Sequence, residues 1–115
     1  MIEETVITYL QTALTTSDGY IPVYAEIPAE MPDTFVVVGK TGSGRTNRID
    51  NATLAIKSYA PTLYEAACLN ETVKAYMDVM ADTENVFRCK LNSDYDYTDT
   101  TLKRYRYQAV YDLTY

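Results

Sequence analysis

Three regularities predict a chain of the α+β class, a single domain over residues 1–115 in the order α-β-β-β-α-β-β. A mainly antiparallel sheet would carry two helices packed on one face. An apolar stripe at helical spacing occupies residues 2–14, a second runs from 62 to about 81, and strict alternation fills 87–97 and 103–115. A length of 115 residues suits one modest core, and 47% hydrophobic against 23% charged residues separates the chain from the disordered class.

Ile2, Val6, Tyr9, Leu10 and Ala13 share one face of the first helix. Glu3 and Glu4 stand in its first turn, where the helix dipole favours negative charge. Ser17, Asp18 and Gly19 end it. Val23–Ile27 reads as a short or edge strand, hemmed in by Pro22, Pro28 and Pro32. Thr34–Val38 is a β-branched run suited to a central strand, and residues 52–60 form the next. Pro61 breaks that strand, and Thr62 with Glu65 makes a capping box for the second helix. Ala66, Leu69, Val73, Met77 and Met80 give the helix its buried face, with Lys74 and Asp78 on its outside.

In 87–97 the odd positions are Phe87, Cys89, Leu91, Ser93, Tyr95 and Tyr97; in 103–115 they include Tyr105, Tyr107, Ala109, Tyr111, Leu113 and Tyr115. Period two over this length predicts a half-buried antiparallel hairpin turning at Thr98–Thr101. Three charge pairs select its register: Asp96 opposite Arg104, Asp94 opposite Arg106 and Arg88 opposite Asp112. The same register opposes Leu91 to Ala109 and Phe87 to Leu113. The expected core is Ile2, Val6, Leu10, Phe35, Val37, Leu54, Ile56, Leu69, Val73, Phe87, Leu91 and Leu113.

Composition narrows the function. With no histidine the chain cannot build a triad on a histidine base or a His-ligated metal site. Cys68 and Cys89 form no CxxC pair and read as small buried hydrophobes. Neither a catalytic residue nor a cofactor nor a metal is expected. No apolar run approaches the roughly 20 residues of a spanning helix, and the N-terminus lacks the pattern of a signal peptide. The expectation is therefore a chain that folds in the cytoplasm with reduced thiols and no membrane partner.

Residues Gly39 to Thr46 have the spacing of a phosphate-binding loop, with Arg45 where the motif has lysine. That motif must open a helix, whereas Asn47–Asn51 leads towards a strand, and arginine's fork does not replace a lysine point charge. Lys40 to Asp50 is read instead as a long mobile hairpin loop of the kind that carries interactions.

Charge is unevenly spread. Residues 1–39 hold six acids and no base, 40–57 sum to +3, 58–84 to −4 and 85–115 to +1, giving the net −6. Opposite charges on different parts of one chain suit a head-to-tail contact between copies, which closes into a ring when the rotation allows. A pI near 4.5 argues against specific nucleic-acid binding. Of the twelve tyrosines, Tyr9, Tyr105, Tyr107 and Tyr111 fall on core faces. Tyr20, Tyr24, Tyr64 and Tyr97 lie at element ends, where an apolar body with a polar tip suits an interface.

Taken together, the segments resemble the small tail-terminator (tail completion, head-to-tail joining) proteins of siphophages and Gram-positive prophages. The resemblance is carried by the opening Met1–Glu4, by Val23-Tyr24 through Pro28, and by Phe35–Val38 with its Gly-rich loop. It continues through Ser58–Ala67 and is strongest over Leu91–Tyr111. It implies a mixed sheet with two helices, and a non-enzymatic ring, a hexamer, that caps the tail tube and meets the head connector. The location implied is the virion at the head–tail junction, after assembly in the bacterial cytoplasm. In that role the expected contact residues are Lys40, Arg45 and Arg48 of the loop, then Arg88, Lys90, Arg104 and Arg106 on the outer face of the C-terminal hairpin. The alternatives are a head-side neck adaptor or stopper, or a small nucleotide- or ligand-binding module using Gly39–Thr46.

Overall fold

The computed structural model describes residues 2–15, 21–46, 49–83, 86, 88–98 and 105–115. Its elements are α1 (Ile2–Leu14), β1 (Val23–Tyr24), β2 (Phe35–Thr46), β3 (Ile49–Ala60), α2 (Leu63–Asp78), the single turn α3 (Met80–Thr83), β4 (Arg88–Asp96) and β5 (Tyr105–Thr114). The order matches the sequence reading. The sheet runs β1-β2-β3-β5-β4, with β1 parallel to β2 and every other pair antiparallel.

Thr62 caps α2 as its spacing predicts: the Glu65 amide donates to Thr62 Oγ1 at 3.1 Å, and that hydroxyl donates to Glu65 Oε2 at 3.2 Å. The helix ends at Val79, whose N–H turns back to the carbonyls of Tyr76 and Met77. Ile2, Val6, Leu10 and Leu14 from α1 and Leu69, Val73 and Met77 from α2 pack on one side of the sheet. There they meet Val36, Val38, Leu54, Ile56, Ala109, Tyr111 and Leu113, all buried. Each such side chain contributes about 1.5–3 kcal/mol by leaving water. Tyr9 closes the seam between the helices by donating its hydroxyl to the Tyr76 carbonyl at 2.6 Å.

The opposite face of the sheet carries a second, smaller cluster of Phe35, Val37 and Tyr59, partly covered by Tyr24 and Met31. Phe35 and Tyr59 stack with centroids 4.5 Å apart and planes 6° from parallel.

The hairpin register departs from the charge-pair expectation. Asp94 lies opposite Ala109, not Arg106, and Arg88 opposite Thr114, not Asp112; Leu91 faces Tyr111 and Cys89 faces Leu113. Arg104, Phe87 and most of the turn lie outside the described residues, as do Ser17–Gly19 and Tyr20. Two causes act. The core fixes β5 first, by burying Ala109, Tyr111 and Leu113, and surface charge pairs worth about 0.2–1 kcal/mol cannot compete with that. A β-bulge between Leu91 and Ser93 then inserts Asn92 and reverses which side of the sheet later residues face.

Other expectations fail for related reasons. Leu91 is 36% exposed rather than core, because β4 is the sheet edge and has a strand on one side only. Tyr105 is likewise exposed at the end of β5. Cys68 is exposed on α2, and only Cys89 is partly buried; both are free thiols. Burial, aided by the Asp78 charge, pushes the Cys89 thiol up to about 12. β1 keeps only two of the five residues expected of it, the segment Ala25–Thr34 being without regular structure. Among the described residues no helix is long and apolar enough to cross a membrane.

Candidate functional site

The segment read as a mobile loop, Lys40 to Asp50, is instead a paired β-arm. Beyond a bulge between Lys40 and Gly42 the ladder continues as Gly42 opposite Thr53, Ser43 opposite Ala52, Gly44 opposite Asn51, Arg45 opposite Asp50 and Thr46 opposite Ile49. Backbone pairing needs no apolar side chains, so a Gly/Ser/Thr-rich run can be a strand when its partner is itself held. β3 is held, because β5 pairs with it from Asn51 to Ala60 on the other side. Tyr115 and Asp50 also exchange backbone hydrogen bonds at 2.8 and 3.1 Å. The run Gly39–Thr46 thus lies within β2, and β3 follows it rather than the helix N-terminus a phosphate loop requires.

Lys40 is exposed, its ammonium 4.0 Å from Glu3. Arg45 does not stand alone at the arm's end. It donates Nε to Asp50 Oδ1 at 2.7 Å and a terminal nitrogen to Oδ2 at 3.3 Å. The guanidinium holds the Asp50 carboxyl below its ordinary range. This exposed pair ties the arm's two strands together without adding much stability. Arg48 is outside the described residues.

The second predicted group divides. Arg88 and Lys90 are exposed on edge strand β4. Arg106 is half-buried on the face away from the helices, its guanidinium 4.3 Å from the Tyr97 ring centroid and 5.8 Å from that of Tyr59. It donates to the Tyr59 hydroxyl at 2.9 Å and to the Tyr97 carbonyl. Arg106 is therefore a clamp between β3, β5 and the end of β4. Tyr95 and Tyr97, in edge-to-face contact at 5.9 Å, continue this row of rings and are 41% and 45% exposed. Gln108 donates to the Tyr95 hydroxyl at 2.6 Å.

Sequence reasoning missed two features of this region. Asp94 faces the helices and accepts from Lys74 Nζ at 2.8 Å and Asn70 Nδ2 at 3.2 Å, so Lys74 is not on the outside of α2. Asp112 accepts from Thr53 at 2.8 Å and Asn92 at 3.0 Å, and these donors hold its carboxyl below the ordinary range. Asn92, a polar residue at an even position, fitted the alternation and gave no warning of a bulge.

The arm and the β4 edge thus form the two ends of one sheet that present backbone and charge outward. No known protein-family model matches the chain, and no curated protein sequence is significantly similar to it.

Proposed function

We propose that the chain is a non-enzymatic structural protein of a bacteriophage or prophage tail, which forms a ring, a hexamer, on the end of the completed tail tube and joins it to the head connector. The observation that carries this reading is the β-arm. Twelve-residue strands β2 and β3 extend beyond the helix-covered core and present exposed Lys40 and Arg45 at the sheet's margin. A stiff projection of this kind suits contact with a neighbouring subunit or the tube protein, and charge of both signs on separate segments suits copies meeting head to tail. The resemblance implies a mixed sheet with two helices, and the agreement of the fold with that architecture adds support. The partners of this reading are copies of the chain, the tail-tube protein and a neck protein; its place is the head–tail junction of the virion.

The test is co-expression with the tail-tube protein of the same phage or prophage, followed by electron microscopy of the tubes. Rings at one tube end, absent without this chain, are expected. Uncapped tubes, together with normal head–tail joining when the gene is deleted, would refute the reading.

A further inference from the structure

We infer that the outer edge of β2 in one copy is the acceptor for β4 of another, adding antiparallel so that Lys40 lies opposite Asp94 and Gly39 opposite Tyr95. The inference rests on the self-assembly part of the function proposed above and supplies its contact.

Both edges are available. β1 covers β2 at Val36 and Val37, and its parallel ladder also takes the Val38 N–H at the Tyr24 carbonyl, leaving Gly39–Thr46 with outward backbone groups, a stretch one residue shorter than β4 (9 residues). Among the described residues no strand lies outside β4. The junctions β2-β3, β3-β5 and β5-β4 are all antiparallel, so β2 and β4 run in opposite directions. A second copy in the same orientation therefore meets β4 with an antiparallel β2, helix layers on the same side.

The donors match in phase. Val36 donates its N–H outward to the Pro22 carbonyl, so on alternation Val38 and Lys40 also point outward. Tyr97 donates inward to Arg106, so Asp96 and Asp94 point outward. Lys40 and Asp94 then form a hydrogen-bonded pair, at the first outward N–H beyond the end of β1.

The bulges match as well. One bulge on an edge strand ordinarily spoils pairing. Here β2 is bulged between Lys40 and Gly42 and β4 between Leu91 and Ser93. In this register the two kinks fall side by side, and opposed residues share a face on both sides of them.

Chemistry agrees with geometry. An ammonium meets a carboxylate at Lys40 and Asp94. Gly39 and Gly42 have ordinary backbone, with nothing among the described residues within 4 Å of where a Cβ would stand. Within one copy neither position needs glycine, yet glycine weakens a strand. An aromatic ring laid across Gly39 from the opposite strand supplies the missing packing, and Tyr95 is exposed and placed to do so.

The experiment is sedimentation from micromolar to millimolar concentration on the full chain, on Ser43→Pro and on Leu91→Pro, two positions that this register sets opposite each other. Each proline removes one outward N–H and leaves the internal ladder intact, which circular dichroism and thermal melting verify. The wild type is expected to associate, and each variant at least about tenfold more weakly. A mixture of the two variants retains one good edge of each kind and is expected to stop at a one-to-one dimer. An oligomer that either variant forms as readily as the wild type overturns the strand pairing and leaves the ring reading standing. A wild type that remains monomeric throughout overturns the pairing too, and the tube-capping experiment alone then decides the function.

Discussion

Lys74 on α2 reaches the Asp94 carboxylate on β4 at 2.8 Å, and it does so only because Asn92 is inserted two residues earlier. Without the bulge Asp94 would point to the other face of the sheet, away from α2. The same carboxylate oxygen accepts from the buried Asn70, so one edge-strand acid anchors two positions of the helix.

Removing that acid is therefore costly. Asp94→Ala leaves the Asn70 amide without its acceptor in a residue that is 1% exposed, and a lost partner of this kind costs about 1–3 kcal/mol. Urea unfolding should show that loss, with Asp94→Asn recovering part of it by still accepting a hydrogen bond.

Leucines in the two layers should separate clearly. Leu69→Ala opens a cavity under α2 and is expected to cost about 2–5 kcal/mol, whereas Leu91→Ala on the exposed edge should stay within about 0.5 kcal/mol. Chemical denaturation of both variants checks the contrast; equal losses would contradict the edge position of β4.

The two thiols should react at very different rates. Cys68 is exposed, while burial pushes Cys89 up to about 12, leaving little thiolate at neutral pH. A disulfide reagent added to the native chain should label Cys68 promptly and Cys89 only on unfolding, as peptide mass analysis would show.

Acid should loosen the sheet through Asp112. Its folded value lies below the ordinary carboxylate value because Asn92 and Thr53 donate to it. The stabilisation is full above about pH 3.9 and is lost as the pH falls from there through the lowered folded value. Asp112→Asn should flatten the acid limb of a stability–pH curve. Lys74 acts in the opposite range: Asp94 and then Glu71 raise its value, so its contribution is present at neutral pH and lost only in strong alkali, as pH passes the raised value.

The helices and the central strands were legible because one-sided burial imposes a period: Ala66, Leu69, Val73 and Met77 had nowhere to go but onto the sheet. β4 was harder. As an edge it buries little, and Tyr95 and Tyr97 satisfy either face, since their rings pack and their hydroxyls remain wet. Charges there are nearly free to rearrange, so opposing Asp94 to Arg106 by sign carried little weight against the packing of Tyr111. The arm was misread because composition reports side chains, while its order comes from backbone bonds to a β3 already held by β5. Both bulges, at Thr41 and Asn92, were invisible for a common reason: an inserted residue need only tolerate exposure.

The arm also has a mechanical consequence. Its outer strand is continuous with β2 and its inner strand with the central β3, so a pull on its end passes straight into the middle of the sheet. Ladder bonds lie across the strands, and a load along the strand axis shears all of them at once, whereas a sideways load peels them singly. A copy gripped along this arm would be stiff towards tension down its long axis and compliant towards bending, as a hinge strap is.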